Sequence, residues 1–254
     1  MTIKSIGLVA ALAFVAAACG TKEAPGPFDP TGPTGRVRFV NLINDPARIP
    51  VNAILEGLAF GVNLGYGGTT PATLPSPSNA TYSPILTGAR NLVLKKTADT
   101  TLIVGTLSLD IAENTDYTVY ATGGVGGAPV TFFSVINTNP VPTASQVEVR
   151  IVNYSPAAGA IDVFITAPNA DLSAATPTVS SPGAPDPGTS YVVLAPGTYQ
   201  VRAVPAGTAP ALRSTSVVLT INNLVLAGGT GRTIVIADRA AGGAPITGFV
   251  LTDR

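Results

Sequence analysis

The chain repeats itself, and this repetition restricts the folds it can adopt more than any other feature. Residues 37–41 read Val-Arg-Phe-Val-Asn and residues 149–153 read Val-Arg-Ile-Val-Asn. Three further matches follow in the same order: 49–51 with 161–163, the span from Tyr82 to Gly88 with that from Tyr191 to Gly197, and 126–133 with 242–249. Because a self-similar sequence builds one unit several times, we predict a domain at 36–137, a Pro-rich linker at 138–145 and a second domain at 146–254.

Within each copy the apolar residues alternate with a period of two, which is typical of β-strands. Tyr117 and Val119 are predicted to face one way, and Thr118 and Tyr120 the other. The 27 Gly and 23 Pro residues oppose helices and favour tight turns. Six or seven short strands per copy predict an all-β fold of two tandem immunoglobulin-like (Greek-key type) antiparallel β-sandwiches. Tyr117 is predicted to anchor a neighbouring loop as a tyrosine corner, with Thr233 in its place in the second copy.

The N-terminus has the order of an export signal. Lys4 precedes an apolar run from residue 6 to 18, and Cys19 follows. The run is shorter than the roughly 20 residues that a membrane-spanning helix needs. We therefore expect residues 1–18 to be a removable signal peptide, and the Pro- and Gly-rich residues 19–35 to be a flexible tether.

Cys19 follows three alanines, and this segment resembles the lipobox of bacterial lipoproteins. The resemblance implies that Cys19 carries the lipid, with fatty acids such as palmitate, and holds the chain on a membrane of the cell envelope. Gly20 after the cysteine, by its similarity to sorting rules in bacteria with two membranes, implies the outer membrane, with the protein facing the periplasm or the surface. The alternative is an ordinary secretory peptide that is cut after an Ala-x-Ala sequence.

The repeat also resembles a bacterial family known as domain of unknown function 4397. Its members begin with a Val-Arg-Val-Val-like strand, a Ser-Pro turn and an Asp-Val-Tyr-like strand, and residues 149–156 and 161–164 match this order. Residues 194–201 fit a later part of the pattern, while the first copy departs from it more. The His that commonly follows the first strand is Asn41 and Asn153 here. The resemblance implies a fold but names no activity.

The composition argues against most kinds of catalysis. The chain has no His and no Trp, and Cys19 is its single cysteine. It therefore lacks the usual general base near neutral pH, the commonest metal ligand and any disulfide. We predict no enzymatic activity and no cofactor. With 14 basic against 14 acidic residues, the chain also lacks the positive field that a nucleic-acid partner would require.

Several residue groups are candidates for a site. Asp110, Glu113 and Asp116 are weak calcium candidates, because calcium prefers oxygen ligands, although a polar turn is the favoured interpretation. The glycine runs at 123–127 and 228–231 are predicted to be hairpin loops and not phosphate loops, since no Lys-Ser or Lys-Thr pair follows them. Tyr66, Tyr82 and Tyr191 could stack on sugars or contact a protein, or be half-buried sheet residues.

Both copies carry a long insertion at the same place, at residues 58–80 and 169–190. Long loops on a rigid scaffold are where binding surfaces usually lie. The leading hypothesis is therefore a non-catalytic binding or adhesion module for a protein or polysaccharide. One alternative is a structural spacer of the envelope. Another is a hydrolase that uses carboxylates alone, with Asp162 and Asp186 or Asp45 and Glu56 as its pair.

Overall fold

The computed structural model describes residues 31–71, 81–138, 140–180, 182–188 and 190–253. The predicted signal peptide, Cys19 and most of the predicted tether lie outside these residues. In the part of the chain that the structure describes, no helix has both the length and the apolar character needed to cross a membrane.

The first half of the described chain, residues 34–137, is built from strands that form two sheets. These strands are β1 (Thr34–Ile43), β2 (Val51–Leu55), β3 (Leu58–Leu64), β4 (Thr69–Thr70), β5 (Ser83–Leu86), β6 (Gly88–Lys96), β7 (Asp99–Ile111), β8 (Asp116–Gly123) and β9 (Val130–Asn137). The first inner sheet has the order β4-β1-β8-β9, with β5 also paired to β1, and the first outer sheet has the order β3-β2-β6-β7.

The second half, residues 147–252, repeats this plan with fewer strands. They are β10 (Val147–Tyr154), β11 (Ile161–Thr166), β12 (Val192–Leu194), β13 (Gly197–Pro205), β14 (Leu219–Leu226), β15 (Thr230–Ala237) and β16 (Thr247–Thr252). The second inner sheet has the order β12-β10-β15-β16, and the second outer sheet the order β11-β13-β14. Short 3₁₀ segments lie at Val125–Gly127 and Pro210–Thr215.

Each half encloses an apolar core between its inner and outer sheets. Phe39 and Phe60 are fully buried in the first core, and Ile151, Ile161 and Val201 lie in the second. Tyr117 and Val119 face the first core while Tyr120 belongs to a different cluster, as the alternation predicted. The all-β sandwich prediction is thus confirmed, with one refinement: β1 pairs with β8, and β10 with β15, in parallel, while the other strand pairs are antiparallel.

The predicted tyrosine corner is present in the first half. The backbone N–H of Ala112 donates a hydrogen bond to the Tyr117 hydroxyl at 3.1 Å. The position predicted for its counterpart in the second half is wrong by one residue. Val37 pairs with Tyr117 and Val149 pairs with Arg232, so Arg232 occupies the position of Tyr117, and Thr233 corresponds to Thr118.

Two buried asparagines tie the insertions to the inner sheets. The Asn41 side-chain amide donates to the carbonyls of Leu64 (2.9 Å) and Gly65 (3.1 Å). The Asn153 amide donates to the carbonyls of Gly159 and Pro182, both at 3.0 Å. Each asparagine also accepts a hydrogen bond from the backbone two residues ahead, at 3.1 and 3.0 Å. These two side chains therefore hold the insertions in place.

Replacement of Asn153 by Ala should lower the free energy of unfolding by about 1–3 kcal/mol, because it leaves buried carbonyls without their donor. Urea unfolding followed by far-UV circular dichroism measures this change. Asn91→Ala, at an exposed position of β6, is the matched control and should change stability by no more than about 0.5 kcal/mol. Equal effects of the two substitutions would contradict the role given to Asn153.

Candidate functional site

The central strands of the two inner sheets are buried on both faces, as β11 of the second outer sheet also is. All six residues from Arg38 to Ile43 of β1 are buried, and β10 is buried throughout residues 149–154. One face of each inner sheet covers the core of its own half. Strands that show continuous burial are covered on both sides, so the second face must contact another layer.

That layer is the other inner sheet. Val40, Leu42 and Tyr120 of the first half form one apolar cluster with Val152, Tyr154, Val235, Ala237 and Leu251 of the second. The Tyr120 and Tyr154 rings lie 4.7 Å apart between centroids, and Phe133 stacks on Tyr154 at 4.9 Å. The described chain therefore has four layers of sheet, with an aromatic interface between the two sandwiches.

At one end of this interface lies a buried ionic network. Arg38 forms a 2.8 Å ion pair with Asp253, and both side chains are almost fully buried. The guanidinium also donates to the carbonyl of Thr252 at 2.7 Å and to the Thr118 hydroxyl at 3.0 Å. Burial alone would lower the pKa of Arg38, but Tyr82, Tyr120 and Asp253 outweigh it and raise the pKa above its usual value. Arg38 thus remains charged and joins the two halves.

The network contains the same kinds of group twice. Arg38 lies over the ring of Tyr82 at 4.7 Å, and Arg150 lies over the ring of Tyr191 at 5.1 Å. Arg150 donates to the Thr233 hydroxyl at 3.0 Å, as Arg38 does to Thr118.

The carboxylate of Asp253 joins the two parts of this network. The Thr233 hydroxyl donates to it at 2.6 Å and the Tyr191 hydroxyl at 3.2 Å. In the first half Asn137 takes the corresponding place and donates to Thr118 and Tyr82. One carboxylate therefore bonds to Arg38 directly and to Arg150 through Thr233.

At the other end of the interface the two halves leave a cleft of about 220 Å³. The strands β1, β8, β10 and β15 connect the two sites. Each contributes a residue to the ionic network and, nearer its C-terminal end, a residue to the lining of the cleft. At about 3.3 Å per residue, Arg38 and Leu42 of β1 lie roughly 13 Å apart along the strand, so the network and the cleft are distinct sites. The residues that line the cleft are Leu42, Asn44, Tyr66, Thr122, Gly123, Thr131, Phe133, Tyr154, Pro156, Ala184, Pro185, Ala237 and Asp238.

Both insertions contribute to the wall of this cleft. Tyr66 comes from the first insertion, and Ala184 and Pro185 come from the second. The Tyr66 hydroxyl donates to the backbone carbonyl of Asp238, and its ring meets Phe249 edge-on at 5.5 Å. Burial raises the pKa of Tyr66 well above its usual value, with the charge of Asp238 adding to the effect. The first insertion is thereby joined to the second half.

The polar groups of the cleft differ in how well they are bonded. The Asp238 carboxylate accepts hydrogen bonds from the Ser155 hydroxyl (2.5 Å) and from the backbone N–H groups of Ala157 (3.2 Å) and Gly243 (3.0 Å). In contrast, Asn44 Oδ1 and the Tyr154 hydroxyl are buried and have no hydrogen-bond partner among the described residues. The cleft is thus lined by one carboxylate with three donors and by two residues that each carry a polar atom buried away from solvent without a partner.

The calcium candidates do not come together. Asp116 is buried and bonded by Arg36 through Nε at 2.6 Å and Nη2 at 2.5 Å. Asp110 is exposed at the end of β7, and Glu113 is exposed in the following turn. Within the residues that the structure describes, no group of three or more His, Cys, Asp or Glu side chains is placed to hold a metal ion. Only Glu113 lies in the turn before β8, because Asp110 is part of β7 and Asp116 is the first residue of β8.

The carboxylates proposed for a hydrolase are each held in local contacts. Asp45 lies 3.2 Å from Arg48, and Glu56 accepts a hydrogen bond from the backbone of Asn91. Asp162 accepts from the backbone N–H of Gly207 at 3.3 Å. Asp186 accepts from that of Gly188 at 2.8 Å. Each of these oxygens therefore stabilises a turn or a loop.

The two glycine runs occupy different places. Residues 123–127 connect β8 to its antiparallel neighbour β9, so the hairpin prediction is correct there. Residues 228–231 connect β14 of the outer sheet to β15 of the inner sheet, so the hairpin prediction is wrong for this run. The second hairpin of the inner sheet lies instead at residues 238–246, between β15 and β16.

Sequence reasoning found part of the cleft and missed part of it. It selected Tyr66 and the insertions, but not Asn44, Phe133, Tyr154 or Asp238. Asn44 and Asp238 each follow the last residue of an inner strand. Both residues could have been selected from their position directly after an inner strand, β1 or β15. Side chains at these two positions lie at the same edge of the sandwich.

The comparisons with known proteins place the chain in a family. The family model described as "Domain of unknown function (DUF4397)" matches residues 35–164. One similar solved structure is described as "Alpha-glucan recognition by family 41 carbohydrate-binding modules from streptococcal virulence factors". The two sequences are 9% identical, the match covers 84% of this chain and 96% of that chain, and the TM-score is 0.22. A TM-score this low does not establish a shared arrangement of strands. No curated protein matches the chain.

Replacement of Asp253 by Asn should lower the free energy of unfolding by about 3–5 kcal/mol, because it leaves the buried Arg38 charge without its counter-ion. Thermal or urea unfolding followed by tyrosine fluorescence measures the loss. Asp110→Asn, the same change at an exposed site, should alter stability by less than about 0.5 kcal/mol. A variant Asp253→Asn that is as stable as the control would show that the ion pair does not hold the interface.

Proposed function

This chain belongs to the DUF4397 family, and from that premise we propose that it is a non-catalytic binding module, held at the cell envelope by a lipid on Cys19. The proposed address depends on residues 1–20: a signal-like apolar run followed by the single cysteine of the chain. The Pro- and Gly-rich segment that follows would hold the sandwiches away from the membrane. Gly20 favours the outer membrane.

The observation that carries the binding proposal is the cleft between the two sandwiches. Its walls come from both halves and from both insertions, and two of its three rings, Phe133 and Tyr154, are held on strands of the inner sheets. Rigid elements position a binding site more accurately than free loops do. A spacer without a ligand would not require this concave shape.

The lining favours a polysaccharide over a protein as the ligand. Tyr66 and Phe133 are half-exposed aromatic residues, and Asp238 is the one charged side chain among the lining residues that the structure describes. Aromatic rings combine apolar area with defined geometry. A cleft of about 220 Å³ is smaller than the roughly 300–1,000 Å³ of pockets for drug-sized ligands, so it suits one unit of a polymer and not a protein surface.

We also propose that the two halves arose by duplication. The support is the shared order of strand pairing, with eight parallel residue pairs between β1 and β8 and eight between β10 and β15. The matching arginine, tyrosine and threonine of the ionic network occupy equivalent positions in this order. A duplicated sandwich that packs against itself would create the interface, and with it the cleft.

The lipid anchor makes a direct prediction. When the full-length chain is produced in a bacterium with two membranes and supplied with radiolabelled palmitate, the wild type should incorporate label and sediment with membranes. Cys19→Ser should carry no label and should appear in the soluble envelope fraction. Equal labelling of both proteins, or a soluble unlabelled wild type, would contradict the anchor and support an ordinary secretory peptide.

The binding proposal is tested by co-sedimentation of the mature Cys19→Ser chain with insoluble cellulose, chitin, starch and isolated cell-wall sacculi. At least one should retain the protein, and Tyr66→Ala should reduce the bound fraction severalfold, because it removes a ring from the cleft wall. Tyr199→Ala, which deletes a half-buried ring on β13 of the outer sheet, should bind as the wild type does. No retention by any of the four materials would favour the spacer.

A further inference from the structure

Strand β9 forms one edge of the first inner sheet, and its outer side is open. It pairs with β8 over eight consecutive residue pairs, from Asn137 opposite Asp116 to Val130 opposite Gly123, without a shift of register. In the part of the chain that the structure describes, the main chain of residues 130–137 bonds to no main chain other than β8. Because every second residue of an edge strand points its N–H and C=O outwards, β9 can accept a further strand.

The long edge strands of the outer sheets differ from β9, because each is interrupted. β3 has shifts of register against β2, and its Asn63 adopts a φ of 56°. β14 has a shift of register against β13, and its Asn223 adopts a φ of 52°. β7 has shifts of register against β6 and carries the charges of Asp99 and Asp110. Bulges and charges of this kind hinder the addition of a strand to a sheet edge.

The remaining edges are occupied or short. Both main-chain groups of Val163 on β11 bond to residues 178–179 of the second insertion. On β16, the Thr252 carbonyl accepts a hydrogen bond from Arg38. β4 has two residues, β12 has three, and β5 contains Pro84, which cannot donate. Among the strands that the structure describes, β9 is therefore the one long edge without a protecting feature.

The sequence around β9 favours pairing of this strand with its own copy. Residues 130–137 read Val-Thr-Phe-Phe-Ser-Val-Ile-Asn, and no charged residue occurs between positions 117 and 147. When a strand pairs with its copy about a twofold axis, a charge near the centre meets the same charge and is repelled. A strand that selects a different protein can instead use complementary charges. The absence of charge therefore favours a second copy of this chain as the occupant.

An exposed apolar side chain of β9 would be covered in such a pair. Ile136 is 63% exposed, and it lies on the same face of the strand as Phe132, because side chains alternate. In an antiparallel pair centred on Phe133 or on Ser134, Ile136 lies opposite Val130 or Phe132 of the second copy. Val130 and Phe132 pack against the first core. The pairing would thus extend an apolar surface that each chain already has.

We propose that two copies of the chain pair through β9, antiparallel and about a twofold axis, so that their first inner sheets form one continuous sheet. Because each chain has one such edge among its described strands, the assembly closes as a dimer and does not continue into a fibre. One pair of eight-residue strands is a small interface, so the dimer is weak and forms as the concentration rises. This inference is independent of the ligand proposed for the cleft.

The experiment places a charge on each of the two edge strands of the first sandwich. Ser134 of β9 and Ser108 of β7 are both exposed, so the same change from Ser to Lys can be made at both. The mature Cys19→Ser chain, with and without Ser134→Lys or Ser108→Lys, is analysed by sedimentation equilibrium over a wide range of concentration. Thermal unfolding of each protein is recorded at the lowest concentration.

The average mass of the parent chain should rise with concentration towards twice the monomer mass. Ser134→Lys should weaken dimerisation about tenfold or more, because it brings like charges together at the centre of the paired strands. Ser108→Lys should leave dimerisation unchanged. All three proteins should unfold at the same temperature in the dilute samples, since both serines are exposed and the monomer alone is present there.

Cross-linking tests which edges meet. With the pair centred on Phe133 or on Ser134, the two copies of position 134 lie directly opposite or diagonally, about 8 Å apart at most. Ser134→Cys in the Cys19→Ser chain should therefore form a covalent dimer with a short bifunctional thiol reagent, and Ser108→Cys should not.

Three results would overturn the proposal. The first is a parent chain that stays monomeric at every concentration. The second is equal dimerisation of the two lysine variants, or equal cross-linking of the two cysteine variants, which would place the contact on another surface. The third is an open series of larger oligomers in place of a dimer, which would exclude a closed pair of β9 strands.

Discussion

The contact between the two inner sheets is the interaction on which the rest of the structure depends. Val40, Leu42 and Tyr120 on one side, and Val152 and Tyr154 on the other, leave water only when the halves meet. Separated, each half would expose a contiguous apolar sheet face, which soluble proteins rarely tolerate. The ionic network, the fixed insertions and the cleft all exist because this contact brings strand ends from two sandwiches together.

The buried ion pair gives this contact its alignment. Apolar surfaces pack without strong directional preference, and desolvation makes a buried ion pair a weak source of net stability. Arg38 nevertheless has all of its partners in one arrangement only, since it must reach both the Thr252 carbonyl and the Asp253 carboxylate across the interface. Asn137 at the position equivalent to Asp253 shows that one carboxylate serves both arginines. The pair therefore selects how the sheets align, and the apolar contact supplies the favourable free energy.

The period-two alternation predicted the fold class and the inward face of β8, but it could not predict what covers the outward face. Arg38 looks like a solvent-exposed residue on the outward face of a half-buried strand, although it is buried. The available signal was that the outward positions also carry Val40, Leu42 and Tyr120, since strands that are apolar on both faces are covered on both. The same weakness explains the Thr233 error: sequence matching without strand register allows a shift of one residue, which reverses the face of a side chain.

The cleft was only partly predictable, because it is a property of two surfaces and not of one segment. The insertions could be recognised by length and composition, and Tyr66 by its residue type. Asn44 and Tyr154 acquire their significance only from the absence of a bonding partner in the assembled interface, which no motif records. Leaving two such atoms unmet costs on the order of 1–3 kcal/mol each, a substantial fraction of the 5–15 kcal/mol by which a domain is normally stable.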